Sequence, residues 1–316
     1  MRRVLVTGGA GFIGSHLADR LVADGFEVTV LDNFATGRRE YVSSVAALIN
    51  GDVGDRALVD EVFASERFDI VFHIAGQASI RLSFADPEVD LNTNVRGTVN
   101  VVRGCIESGV PRLVNASSMT VYGQPDRIPT AEDVACVPVS YYGVTKYAAE
   151  RYAHIAAERP DVELAATSLR MFNVFGPRQS ISNPYQGVLA IFIGNVLREE
   201  PITIHGDGRQ TRDFVYVDDV VDAWMRVLDE PTTFGSVLNV GSGRETSVDE
   251  LADAVLDAFG ESRDTWGIRR EGEQLGDQRR AAADTHAIAN HGWSSKISLR
   301  DGVARTVSWA RQGVRR

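Results

Sequence analysis

Short apolar runs alternate with stretches of helical period through the first half of the chain. Val4-Leu5-Val6, Val28-Thr29-Val30-Leu31, Ile70-Val71-Phe72, Leu113-Val114-Asn115 and Leu164 to Leu169 read as strands. Residues 12–24 place Ile13, Leu17 and Leu21 on one helical face. Ser140 to Glu158 predicts a long helix, ended by Arg159-Pro160. Strands that are apolar on both faces and alternate with helices predict a parallel sheet covered on both sides. After Asn173 the texture changes, and Gly176-Pro177, Asn183-Pro184 and the run from His205 to Gly208 punctuate shorter elements. The pattern predicts an α/β fold with a doubly wound, Rossmann-type parallel sheet. The larger domain is expected over 1–173, with 214–235 packing back onto it, and a smaller α/β lobe over 174–316.

Composition narrows the class of function. The 316 residues carry a formal charge of −10 and include 44% hydrophobic residues. That is enough to bury a core without disulfide or metal staples. An acidic chain without a basic stripe is a poor partner for nucleic acid or an anionic membrane. Cys105 and Cys136 form no CxxC pair, which fits a reducing cytoplasm, and the six histidines show no metal-ligand spacing. Val4-Leu5-Val6 is too short for a signal-peptide core, and Val188 to Ile193 is far below a membrane span. Of the 33 basic residues only two are lysine, Lys146 and Lys296.

Candidate chemistry begins at the first strand–helix turn. Thr7-Gly8-Gly9-Ala10-Gly11-Phe12-Ile13-Gly14 carries glycines at 8, 9, 11 and 14. Such spacing lets backbone N–H groups approach a pyrophosphate at a helix N-terminus. Asp32 ends the next strand, where a carboxylate accepts from ribose hydroxyls and repels a 2′-phosphate, so NAD is expected over NADP. Arg38 and Arg39 lie close enough to complicate that preference. Tyr142 and Lys146 are four residues apart on one helical face. A cation there favours the phenolate, which makes Tyr142 a candidate general base with its pKa drawn toward working pH. Lysine stands at 146 in a chain that otherwise uses arginine, and a compact ammonium suits a tight site. Ser117-Ser118 follows a strand at its carboxyl end, where doubly wound sheets place ligands.

These motifs together resemble the extended short-chain dehydrogenase/reductases, and more closely the UDP-sugar 4-epimerases among nucleotide-sugar epimerases. Further matches are Gly51-Asp52-Val53, the run from His73 to Ala78, Asn94-Val95-Arg96-Gly97-Thr98, the run from Arg170 to Arg178, the run from Arg212 to Asp219, and the run from Leu238 to Gly243. The resemblance implies an NAD-dependent enzyme that oxidises a sugar at C4, lets the keto sugar turn, and returns the hydride to the other face. Ser118, Tyr142 and Lys146 would be catalytic. Gly8, Gly11, Phe12, Ile13, Gly14, Asp32, Asn33, Thr36, Gly37, Asp52, Val53, Ile74, Ala75, Gly76, Gln77 and Asn94 would line the cofactor. Arg81, Asn173, Arg178, Val188, Arg212, Arg270 and Glu273 would hold the nucleotide sugar.

The residues after Ser118 bear on the reaction. Dehydratases similar to this chain carry an Asp-Glu pair there, and decarboxylases a Glu, whereas this chain has Met119-Thr120. That favours epimerisation. The run from Gln77 to Ser83 resembles that of UDP-glucuronate 4-epimerases, so Arg81 or Arg178 is expected to pair with a C6 carboxylate. The favoured pair is UDP-glucuronate and UDP-galacturonate. UDP-glucose/UDP-galactose and UDP-N-acetylhexosamines are alternatives. A dehydratase, decarboxylase or reductase and a non-catalytic NAD-sensing module are more distant ones. A homodimer through residues 92–108 and 141–158 follows from the same resemblance.

Overall fold

The computed structural model describes residues 1–181, 187–272 and 279–314. The first half runs β1 (Arg3–Thr7), α1 (Phe12–Ala23), β2 (Glu27–Asp32), β3 (Ala47–Asn50), α2 (Arg56–Ser65), β4 (Ile70–His73), α3 (Ile80–Ala85) and α4 (Pro87–Asp90). A π-helical turn, Leu91–Arg96, leads into α5 (Gly97–Glu107), then β5 (Arg112–Ser118), α6 (Tyr141–Ala157), β6 (Ala165–Met171) and β7 (Asn173–Phe175). The second half adds α7 (Val188–Leu197), β8 (Ile202–His205), β9 (Thr211–Arg212), β10 (Phe214–Tyr216), α8 (Val217–Leu228) and β11 (Val237–Val240). It ends with β12 (Thr246–Ser247), α9 (Val248–Phe259), β13 (Ile268–Glu271), α10 (His286–Ala289) and α11 (Leu299–Val314).

Seven parallel strands form the central sheet in the order β11-β6-β5-β4-β1-β2-β3. Alternation along β1 shows why both faces are apolar. Val4 and Val6 join a core with Leu17 and Leu21 of α1 and Trp224 of α8. Leu5 faces the opposite way, into a core with Val59, Phe63 and Val101. Fully burying one such side chain contributes roughly 1.5–3 kcal/mol. A third core, with Phe175, Phe192, Ile204, Leu251 and Val303, holds the second lobe.

The sheet extends further along the chain than its periodicity predicts. Its seventh strand, β11, lies beyond the 214–235 segment assigned to it from the sequence. Asn239 breaks the apolar run there, yet it is fully buried. Its side chain accepts from Tyr122 Oη at 2.7 Å and donates to the Thr130 carbonyl at 2.8 Å. The short strand β3 also escapes the periodicity, because its four residues are only partly buried or exposed.

The strand order reverses between β1 and β4. Chain-successive strands run outward from β1 to β3 on one side and from β4 to β6 on the other. Ligands of doubly wound sheets bind at such a switch point, at the carboxyl ends of the strands. The helix α6 is fixed over the far side of this crevice by a buried ion pair. Glu150 accepts from Arg170 of β6 at 2.6 and 3.0 Å and from Ser117 of β5 at 2.6 Å. Among the described residues no helix is long and apolar enough to cross a membrane.

Candidate active site

The glycine turn after β1 sits against the end of β4. Gly8 has φ +71°, and a Cβ there would lie 2.7 Å from the Ala75 nitrogen. A Cβ on Gly14 would lie 2.1 Å from the Gly8 carbonyl oxygen. Only glycine lets the turn close this tightly. The helix α1 then starts at Gly11 with no side-chain cap and no acidic residue in its first turn. Its free N–H groups and positive dipole end suit a pyrophosphate. Phe12 and Ile13 open that helix.

Asp32 closes the turn from the other side. Its carboxylate accepts from the backbone of Ala10 at 2.9 Å and of Phe34 at 2.8 Å. Each carboxylate oxygen retains a second lone pair for a ribose hydroxyl. Gly37 packs against Ala10, and Thr36 beside it is exposed. Asn33 donates to Asp52 at 2.7 Å, which joins the ends of β2 and β3. Val53 is buried, and its carbonyl accepts from Asn100 at 2.9 Å. Arg38 pairs with Glu40 at 3.2 Å, and Arg39 stacks on Phe34.

The third wall follows β4. The backbone N–H groups of Ile74 and Ala75 both donate to the Thr7 carbonyl, at 3.2 and 3.0 Å. Gln77 N donates to Asn94 Oδ1 at 2.9 Å, and Asn94 Nδ2 returns a bond to the Gln77 carbonyl at 3.1 Å. Gly76 leaves room beside Lys146, because a Cβ there would lie 3.7 Å from its Nζ. Beneath this wall His73 is held between Thr7 at 2.7 Å and Thr98 at 2.9 Å. Thr98 donates to the Asn94 carbonyl at 2.6 Å, so His73 Nε2 donates to Thr98 and Nδ1 accepts from Thr7. Burial lowers the His73 pKa to about 3, which keeps it neutral.

Ser118 ends β5, and Ser140 caps α6 by accepting from Gly143 at 3.1 Å. That cap starts the helix so that the Tyr142 phenol comes beside Ser118. Thr120 donates to Ser118 Oγ at 3.0 Å. Lys146, one turn further, is buried. Burial lowers its pKa to about 8, against the opposing pull of Asp90 and Glu150. The Tyr142 phenol does not follow the sequence expectation. Burial pushes its pKa up to about 12, and Asp90 adds to the rise while Ser118 opposes it. The lysine four residues on does not offset the loss of water around the phenol.

The residues expected to hold the nucleotide sugar are less well gathered. Asn173 lies on β7, with its backbone N–H on the Asp213 carbonyl at 2.9 Å and its buried Oδ1 without a partner among the described residues. Val188 opens α7, whose N-terminus lacks a side-chain cap. Arg212 lies on β9, and its Nη1 donates to the Thr211 carbonyl at 2.7 Å. Arg270 is an exposed residue of β13, where it donates to Asp249 at 2.9 Å and to the Asp207 carbonyl at 2.9 Å. Glu273 lies outside the described residues. Arg81 is exposed on α3. Arg178 pairs through Nη2 with Asp19 of α1 at 2.7 Å and stacks on Tyr41, while its buried Nη1 has no partner among the described residues.

Sequence reading missed Asp90, Thr145 and the role of Thr120. Asp90 and Asn94 share the i,i+4 spacing that signals one helical face, but a carboxylate there reads as solvated surface. Among the described residues no cluster of three His, Cys, Asp or Glu side chains is placed to hold a metal.

Comparison with known proteins agrees with this geometry. The family profile described as "NAD dependent epimerase/dehydratase family" matches residues 4–241. The chain is 39% identical over 316 residues to a UDP-glucose 4-epimerase of Mycolicibacterium smegmatis, covering 98% of each chain. Its fold is similar to the UDP-glucose 4-epimerase of Thermotoga maritima solved with UDP-glucose. The TM-score is 0.94 and the identity 35%, over 99% of both chains. It is also similar to MoeE5 solved with UDP-glucuronic acid and NAD, with TM-score 0.88 and 36% identity, covering 98% of this chain and 99% of that one. The chain belongs to the NAD dependent epimerase/dehydratase family and is an NAD-dependent enzyme.

Proposed function

We propose that the protein is a UDP-sugar 4-epimerase. The observation that carries this reading is the trio of Ser118, Tyr142 and Lys146 on the switch-point crevice, with no carboxyl group at 119 or 120. NAD, when bound by the glycine turn, Asp32 and the Ala75–Gly76 wall, would supply the acceptor and donor for the hydride. Tyr142 takes the proton from the C4 hydroxyl and later gives it back. Ser118 hydrogen-bonds the same oxygen as it becomes a ketone. Lys146 supplies the positive charge that favours the phenolate. Residues 1–173 bind the cofactor, with 214–235 packed back onto them, and 174–316 mainly bind the nucleotide sugar. Asn173, Val188, Arg212, Arg270 and Glu273 contact its uridine diphosphate. Asn173 Oδ1, buried and without a partner among the described residues, supports that assignment, because a buried acceptor needs a donor.

UDP-glucose and UDP-galactose form the favoured pair. Arg178, offered by the sequence to a C6 carboxylate, is engaged by Asp19 and Tyr41. The 39% identical relative carries the name UDP-glucose 4-epimerase. The uronate pair is the second reading, favoured by exposed Arg81 and by the likeness to MoeE5 bound to UDP-glucuronic acid. A homodimer is the proposed assembly, because Tyr141, Val144, Tyr152 and Ile155 leave an apolar stripe on α6 about half exposed. Tyr142→Phe tests the chemistry. Turnover is expected to fall by about 10²–10⁴ while NAD stays bound, and near-normal turnover would refute the reading.

A further inference from the structure

Lys146 and Asp90 are both buried in this site, and among the described residues neither has an ionic partner within 4 Å. The hydrogen-bond partners of Asp90 are all neutral. It accepts from Thr145 Oγ1 at 2.6 Å, from Gln77 Nε2 at 2.7 Å and from Asn94 Nδ2 at 3.2 Å. Thr145 is the residue next to Lys146 on α6. Gln77 and Asn94 belong to the wall that Gly76 leaves open for the Lys146 ammonium.

The other groups around Lys146 do not balance it. Glu150 lies one turn further along α6, but its carboxylate is held by Arg170 and Ser117. Arg170 also donates to Tyr122 at 2.9 Å. His73 on β4 is neutral. Tyr142 on α6 is a protonated phenol in the free protein. The negative charge left over is that of Asp90. An isolated buried charge is costly, and a nearby opposite charge offsets the cost even without direct contact.

We propose that Asp90 is a positioning residue: it supplies the counter-charge that keeps Lys146 an ammonium, and through Thr145, Gln77 and Asn94 it ties the catalytic helix to the cofactor wall. This rests on the reading of Tyr142 and Lys146 as the acid–base pair. Its physical content is independent of that reading. Asp90 and Lys146 both enter each other's titration, each stabilising the charged form of the other.

The chain's two lysines make the test direct. In a Lys296→Arg background, selective isotope labelling of lysine leaves Lys146 as the only side-chain signal to follow by NMR against pH. Its midpoint is expected near 8. Asp90→Asn is expected to lower that midpoint by about one unit or more. The alkaline limb of kcat/KM should move down with it, while KM for the nucleotide sugar changes little. A merely structural role would lower kcat or the melting temperature and leave both midpoints in place, and an unchanged Lys146 midpoint would overturn the proposal. Lys146→Met reads the pair from the other side, in case Asp90→Asn does not fold. It strands Asp90 unpaired, so its melting temperature relative to wild type should rise as pH falls from 8 toward 5 and Asp90 takes up a proton. A flat difference would also overturn the proposal. If Tyr142→Phe proves active, the catalytic reading fails alone, since the NMR midpoint still reports on the charge pair.

Discussion

Thr120 donates its hydroxyl to Ser118 Oγ at 3.0 Å, and Ser118 opposes the rise in the Tyr142 pKa. Neither of the two positions after Ser118 carries a carboxyl group. Elimination of a sugar hydroxyl needs an acid to protonate the leaving group, and neither Met119 nor Thr120 can serve. The products of a UDP-hexose should therefore keep the mass of the substrate, and mass spectrometry checks this. A product lighter by one water would contradict it. Ser118→Ala should lower kcat on the order of 10²-fold, by removing one donor to the developing ketone.

The two lysines should separate cleanly. Lys146 is buried, whereas Lys296 is exposed and pairs loosely with Asp222 at 3.3 Å. Lys146→Arg forces a bulky guanidinium into the space beside Gly76 and should cost on the order of 10²-fold in kcat. Lys296→Arg should leave kcat and the melting temperature near wild type, because exposed pairs contribute little. Steady-state kinetics on both variants measures the contrast, and equal losses would point to composition alone.

Gly8→Ala should release the cofactor. The left-handed backbone costs a non-glycine residue about 1–2 kcal/mol. The new Cβ would also meet the Ala75 nitrogen at 2.7 Å. The turn must then open, which moves its N–H groups away from the pyrophosphate. The purified variant should carry little NAD and melt below wild type. Full NAD content after purification would show that the turn does not form the cradle.

His73 should make the protein acid-sensitive. Its pKa falls from 6.5 unfolded to about 3 folded. Between those values the unfolded chain binds more protons, so stability rises with pH across that window and is lost as pH falls through it. The melting temperature should drop from pH 6.5 downward, and His73→Asn should flatten the part of the drop that this residue causes. An identical slope in the variant would show that other groups set the acid limb.

Much of the fold was legible because parallel strands buried on both faces leave continuous apolar runs. Val4 to Val6 and Ile70 to Phe72 are strands for that reason. Asn239 hid β11, since a polar residue inside a strand reads as a loop until its partners are known. At the site, Gly8, Tyr142 and Lys146 were legible because their spacing follows from backbone geometry. Asp90 was not, because its burial depends on α4, α6 and the 76–77 wall meeting in space. Arg178 is legible as part of a motif, whereas its pairing with Asp19 is not, because α1 and the turn after β7 meet only in the fold.

The central claim is inversion at C4 with the hydride returned to the same sugar. The most direct measurement is incubation of the purified protein, without added cofactor, with UDP-glucose, UDP-N-acetylglucosamine and UDP-glucuronate in separate tubes. NMR then reads the C4 configuration of each product, and absorbance at 340 nm reads reduced cofactor. Inversion at C4 is expected, fastest for UDP-glucose, with no net reduced cofactor. Retention of configuration in all three tubes, or steady accumulation of reduced cofactor with a released keto sugar, would contradict it.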